Sequence, residues 1–196
     1  MILKGSICRL RPITIDDAEV TLRWRLSERA KLMQRGATTV DEQRDWIASK
    51  LNTGEKNCII EYENVAVGMI ALHDINKRHN SAIYGRLLIG EEEIVGNAPV
   101  AFEAELLLCD FAFDQLKVHK IYGDVVEDNQ PMLKLRTYLG YVQDGILRDA
   151  LNFDGLYKNV HTFSLLEDEY KTKCRPKLIG LIRLLSLNSD KKQGIH

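Results

Sequence analysis

No run of apolar residues in this chain approaches the roughly 20 that a bilayer-crossing helix needs, and no apolar stretch behind basic residues opens it as an export signal would. An excess of one charge is missing too. Lys and Arg together number 27 and Asp and Glu 28, for a formal net charge of −1. That balance lacks the basic footprint of a nucleic-acid binder and offers no acidic tail to a basic partner. Cysteine is sparse. Cys8, Cys58, Cys109 and Cys174 form no C-x-x-C and match no zinc-ligand spacing. Three of them lie inside apolar runs, as buried free thiols do. A reducing cytoplasm is the expected setting, with no metal. Repeats and low-complexity stretches are absent.

What is present suits one domain with a sizeable core: 196 residues, 45% of them hydrophobic. Residues 6–11 alternate apolar and polar as a half-buried strand does. Thr14 and Asp17 start a helical segment over 15–31. Thr39 with Glu42 forms a capping box that opens a second helix to about Leu51. Strand-like runs follow at 57–61, 65–73 and 82–90, the first two joined by a tight turn at Glu63-Asn64. A helix is expected over 100–117, where Ala101, Ala104, Leu107, Leu108, Phe111 and Ala112 share a face. Then come a strand at 119–126, a short helix at 130–138, and strands at 141–147 and 159–165. This order predicts an α/β (α+β) chain with a mixed central sheet of about seven strands and helices on both faces.

Three stretches carry a family resemblance. Asn129 precedes Leu139-Gly140-Tyr141 by ten residues in EDNQPMLKLRTYLGYVQDG. CDFAFDQLKVHKIYGDVVEDN leads into it, and DGLYKNVHTFSLLEDEY closes it. Over residues 6–170 the chain resembles the GNAT superfamily of N-acetyltransferases, in its branches acting on ribosomal proteins and on nucleotide-linked amino sugars. The resemblance implies the GNAT acyl-CoA N-acyltransferase fold over 1–170, acetyl-CoA as cosubstrate, and direct attack by an amine in a ternary complex.

It also implies site residues. The diphosphate of the cosubstrate would sit at the start of the 100–117 helix, on Gly96, Asn97, Ala98, Val100 and Ala101, since free N–H groups at a helix N-terminus bind phosphate. Pro99 replaces the family's middle glycine there and brings no N–H. Backbone groups of Leu87, Leu88 and Ile89 would pair with the pantetheine arm, and Asn129 would touch it; Asn129 equally suits a helix N-cap. The position where the family often has a tyrosine acid is Arg136, which could act electrostatically. His73, Asp74 and Glu28 are the candidate bases.

The stretch TLRWRLSERAKLMQRG and the following Gln43 and Trp46 are similar to acetyltransferases of nucleotide-linked amino sugars. That assigns Trp24, Arg25, Arg29, Met33, Trp46 and Arg86 to the acceptor, with rings on a base or sugar and arginines on a diphosphate. Trp24 and Trp46 also suit core anchors. The alternatives are a protein N-terminus as acceptor and a GNAT-fold module that has lost transfer. The last segment, 171–196, is expected to hold an amphipathic helix over 175–187 that packs on its own chain or on a second copy in a homodimer, or lies on a membrane surface, with a loose tail from Ser189.

Overall fold

The computed structural model describes residues 1–34 and 36–193, the last six of these by their backbone alone. The strands are β1 (Leu3–Lys4), β2 (Cys8–Pro12), β3 (Lys56–Tyr62), β4 (Val65–Asn76), β5 (Ser81–Ile89), β6 (Lys120–Val126), β7 (Val142–Phe153) and β8 (Leu156–Leu166). The helices are α1 (Ala18–Arg25), α2 (Val40–Leu51), α3 (Glu92–Val95), α4 (Val100–Asp110), α5 (Gln130–Leu139), α6 (Glu167–Glu169) and α7 (Arg175–Gln193). One eight-stranded sheet runs β1-β2-β3-β4-β5-β6-β8-β7. Its pairs are antiparallel except β5 with β6. The eighth strand, short β1, is the one the alternation did not reveal.

Helices cover both faces. The larger core cluster, with Leu10, Ile60, Leu72, Tyr84, Leu108 and Ile121, lies under α4 and α7. The smaller, with Ile13, Trp24, Ile47, Ile59, Met69 and Leu88, lies under α1 and α2. Fully burying one such side chain contributes roughly 1.5–3 kcal/mol, so the sheet is clamped from both sides.

Local chemistry explains most boundaries. α2 opens on the expected capping box: Glu42 N–H donates to Thr39 Oγ1 at 3.2 Å, and Thr39 N–H to Glu42 Oε2 at 3.2 Å. Glu63 and Asn64 both have positive φ and form the expected tight turn between β3 and β4. The expected 15–31 helix is interrupted. Regular α1 ends at Arg25, where the Ser27 hydroxyl donates to the Trp24 carbonyl and competes with helix continuation. The 100–117 helix is also shorter, because α4 passes into a π-helical turn over Phe111–Gln115. β7 and β8 are longer than the pattern suggested and meet at Asp154-Gly155, both at positive φ.

α7 docks on α4. Tyr170 stacks on Phe113 at 4.8 Å and donates to Asp110 Oδ1 at 2.6 Å, which Arg175 also bonds; Leu178 is fully buried. The helix backbone continues through Gln193, past the expected start of a loose tail; residues 194–196 of that tail lie outside the described residues. No described helix is long and apolar enough to cross a membrane.

Candidate active site

β5 and β6 separate. They pair only from Ser81–Ile83 to Lys120–Tyr122, and beyond that a cleft of about 570 Å³ opens between them, a size suited to a small-molecule ligand. The last close approach is Gly123 to the Tyr84 carbonyl oxygen, where a side chain on residue 123 would collide. Beyond Ile83, the β6-side edge of β5 has no strand partner among the described residues, so Leu87 and Ile89 keep backbone groups for a bound arm.

A bulge gives this strand two personalities. Between Met69–Leu88 and Ala71–Gly85 the β4–β5 register shifts by one residue, and Arg86 takes a φ of +57°. Before the bulge, Ala82 and Tyr84 belong to the core under α4, so alternation turns Ile83 and Gly85 to the α1–α2 side; after it, Leu88 takes that side. Leu87 and Ile89 turn to the α4 side. Leu88 is therefore packed against Met69 and Trp24, and its side chain does not line the cleft.

The α1–α2 side of the cleft is cationic and aromatic. Arg25, Met33, Gln43, Trp46, His73 and Arg86 line it. Arg86 donates to Glu55 Oε2 at 2.9 Å and to Asn57 Oδ1 at 2.6 Å, with its guanidinium over the Trp46 ring. Burial alone would raise the Glu55 pKa, but hydrogen bonds from Asn57, Arg86 and Lys50 outweigh it and hold it at about 2. Arg25 donates to the Gln34 carbonyl and approaches Met33 Sδ at 3.9 Å. No carboxylate among the described residues pairs with it. Burial and the neighbouring Arg86 charge pull its pKa down.

His73 Nδ1 lies 2.9 Å from Asp74 Oδ2. Burial and Arg86 lower the His73 pKa, with Asp74 acting the other way, so the ring is neutral near pH 7 and able to accept a proton. Asp74 is exposed and orients His73 from outside the cleft. Glu28 stands away from the cleft as well, largely exposed and paired with Lys31.

Two residues assigned to the acceptor sit elsewhere. Trp24 is 1% exposed, packed under the sheet, with its indole N–H on Glu91 Oε1 at 2.7 Å. Its hydrophobic neighbourhood outweighed its chemistry. Arg29 pairs with Glu92 at 2.8 Å and borders a second, smaller cavity at the start of α4.

The α4 side of the cleft holds Asn129, Arg136 and Tyr141. Asn129 is the N-cap of α5, accepting from Met132 N–H at 3.3 Å, and still faces the cleft. Arg136 is 6% exposed. It donates to Glu105 Oε1 at 2.5 Å and lies between the rings of Tyr84 and Tyr141, 4.7 and 4.6 Å from their centroids. That enclosure makes it a structural cation instead of a mobile one. The Tyr84 hydroxyl is buried beside it with no hydrogen-bond partner among the described residues.

At the start of α4 the second cavity is lined by Gly96, Asn97, Ala98, Pro99 and Ala101, with Val100 buried behind them. Gly96 has φ +54° and ψ −123°, a glycine conformation, and open space where a side chain would stand. The N–H groups of Gly96, Ala98 and Val100 turn inward onto the carbonyls of Glu92, Val95 and Ala98. Pro99 has none. The first helical bond is Glu103 N–H to the Pro99 carbonyl, which leaves the first-turn N–H groups of Ala101 and Phe102 for an anion. Glu91 and Glu92, beside this mouth, are held by Arg23 and Arg29. The free edge of β5 and the open first turn of α4 offer the backbone donors that an arm and a diphosphate call for, with fewer phosphate donors than the glycine-rich family pattern provides.

Sequence reasoning missed Tyr84, Gly123 and Asp124 as wall residues, and Glu55 with Asn57 beneath Arg86. Nothing local marks them, because the strand separation and the bulge bring them to the cleft.

Known proteins give the same answer. Residues 8–142 match the family described as Acetyltransferase (GNAT) domain. The chain is 27% identical over 120 residues to the spermidine N(1)-acetyltransferase of Vibrio cholerae, covering 61% of this chain and 68% of the relative. It is 29% identical over 170 residues to the N-acetyltransferase p20 of Bacillus licheniformis, covering 82% and 93%. A GCN5-related N-acetyltransferase from Brucella melitensis superposes with a TM-score of 0.76 at 19% identity, over 93% of this chain and 85% of that one, a likeness of fold. With a split-sheet cleft beside a helix N-terminus, and a family match across most of its length, this chain belongs to the GNAT family as an acetyl-CoA-dependent N-acetyltransferase.

Proposed function

We infer that the acceptor is the amino group of a nucleotide-linked amino sugar, acetylated in the cytoplasm during surface-polysaccharide or glycan biosynthesis. The observation behind this reading is the Arg25, Arg86 and Trp46 wall on the α1–α2 side of the cleft. Two guanidinium groups suit a diphosphate, and an indole suits a base or sugar face. Spermidine is the substrate named for the spermidine N(1)-acetyltransferase that this chain resembles. Here a polycation would meet like charge at Arg25, which no carboxylate among the described residues offsets.

When bound, acetyl-CoA supplies the activated acetyl group. The chain's own residues do the rest. Ala101 and Phe102 N–H groups hold the diphosphate with Gly96, Asn97 and Ala98 around it. The free edge of β5 at Leu87 and Ile89 aligns the arm and offers N–H groups to polarise a carbonyl oxygen. Asn129 borders the arm from α5. His73, oriented by Asp74, takes the proton from the attacking amine. Alignment within about 3–3.5 Å accounts for much of the acceleration such a site needs.

The test is thiol release with UDP- and dTDP-linked amino sugars, spermidine and N-terminal peptides. Turnover of a nucleotide-linked amino sugar with none on spermidine is expected. Preference for spermidine or for a peptide overturns the assignment. Acetyl-CoA binding without turnover of any amine would identify a binding module.

A further inference from the structure

The cleft wall contains three arginines, Arg25, Arg86 and Arg136, and one histidine, but a single carboxylate among its described residues, Asp124. Its position is set by the sheet. Gly123 is the last point where β6 touches β5, and Asp124 is the next residue. On β6, Ile121 and Val125 belong to the core under α4, so strand alternation directs Asp124 to the other face, that of His73 and Arg86. His73 is on β4, on the far side of β5 from Asp124, and its Nε2 leans over Gly85, which has no side chain to fill the space between them.

Asp124 is also chemically available. Oδ1 accepts from the Thr162 hydroxyl at 2.9 Å, no ion pair engages the carboxylate among the described residues, and the residue is exposed. Apart from Arg25, the arginines around this site are matched: Arg86 with Glu55, Arg136 with Glu105, Arg29 with Glu92. An unmatched carboxylate at the vertex of a cleft lined with cations is a receiver for a cation. Primary amines reach an enzyme near pH 7 mainly as ammonium ions, whereas attack on a thioester needs the neutral amine.

We propose that Asp124 receives the acceptor's ammonium group by a charge-assisted hydrogen bond and holds its nitrogen across the cleft from His73. One ammonium proton passes to His73 and on to solvent. The nitrogen lone pair then forms the C–N bond and the C–S bond breaks, its electron pair going to sulfur. The second proton, released as the amide forms, ends on the departing thiol. Asp124 begins and ends as a carboxylate. With Arg25 at the outer wall, the site reads an acceptor as a dipole, with the amine at the vertex and the anion outward. The proposal rests on acetyl transfer to an amine and holds for any amine, nucleotide-linked or not.

Calorimetry on the CoA-loaded protein tests it without turnover. A UDP-linked amino sugar, spermidine and an N-terminal peptide are each titrated beside the analogue with hydroxyl in place of the amine. Wild type is expected to bind at least one amine about tenfold more tightly than its hydroxyl analogue. Asp124→Asn should erase that preference and leave CoA affinity unchanged. Thr162→Val, which keeps the carboxylate, should retain it. The identity of the preferred amine reports on the acceptor; loss of preference in Asp124→Asn reports on Asp124. A preference that survives in Asp124→Asn, or wild type showing none for any amine, overturns the proposal.

Discussion

Arg86 lies over the ring of Trp46, 5.3 Å from guanidinium carbon to centroid, and the same guanidinium bonds Glu55. One side chain thus forms cleft wall and neutralises the acid beneath it. Arg86→Gln should raise the acceptor KM by about tenfold, in keeping with a lost charge-assisted contact of 1–2 kcal/mol. The KM for acetyl-CoA should stay within about twofold. Steady-state kinetics with each substrate varied checks both.

Glu55 makes a prediction about acid stability. An unfolded glutamate titrates near 4.3, and in the fold its pKa is about 2. A depressed carboxylate contributes stability that is complete above the unfolded value and is lost as pH falls from about 4.3 towards 2. The side chain is well shielded, and allowing for screening the contribution is on the order of 2 kcal/mol. In Glu55→Gln, the fall in Tm between pH 5 and 2.5 should be shallower than in wild type, as calorimetry at stepped pH would show.

With His73 as the proposed base, its titration sets the acid limb of activity. Its pKa lies below the usual histidine value because of burial and Arg86, so kcat/KM should fall only below about pH 6.5 as the ring protonates. Asp74 favours the protonated ring; Asp74→Asn should move the inflection to still lower pH. His73→Gln should reduce kcat by about 10²-fold, within the range for a removed general base. A pH–rate profile whose acid limb is unchanged in Asp74→Asn would discredit the pairing.

Behind the cleft, Arg136 and Glu105 form a buried pair. Arg136→Ala strands the Glu105 charge and should cost about 3–5 kcal/mol, seen as a large fall in Tm. Tyr84→Phe should do the opposite. It deletes a buried hydroxyl that has no partner among the described residues, and relief of that desolvation should stabilise by about 1 kcal/mol. Thermal unfolding of the two variants separates structural roles from catalytic ones.

Pro99→Ala would restore an N–H at the mouth of α4, where only Ala101 and Phe102 of the first turn remain for an anion. CoA affinity should rise about threefold by calorimetry, with little change for a CoA fragment lacking the diphosphate.

Much of this was legible from residue order. The Thr39–Glu42 capping box, the Glu63-Asn64 turn, and the alternation of strand and helix after residue 118 are local signals, and each element formed where its signal stood. Asn129 ahead of Gly140-Tyr141 located α5 and the cleft beside it. Less legible was anything that depends on neighbours distant in sequence. Trp24 reads equally as ligand or anchor until the sheet above it is known. Asp124 looks like a surface residue until β5 and β6 diverge. Arg136 looks like a spare cation until Glu105, 31 residues earlier, closes on it.

Around the bulge at Arg86, five residues of one strand present Gly85 and Leu88 to one compartment and Leu87 and Ile89 to the other. Deleting Arg86 would restore strict alternation, so Gly85 and Leu88 would keep one compartment and Leu87 and Ile89 the other. What would go is the guanidinium over Trp46 and on Glu55. The extra residue is carried for the cleft wall it supplies, not for the packing on either side of it.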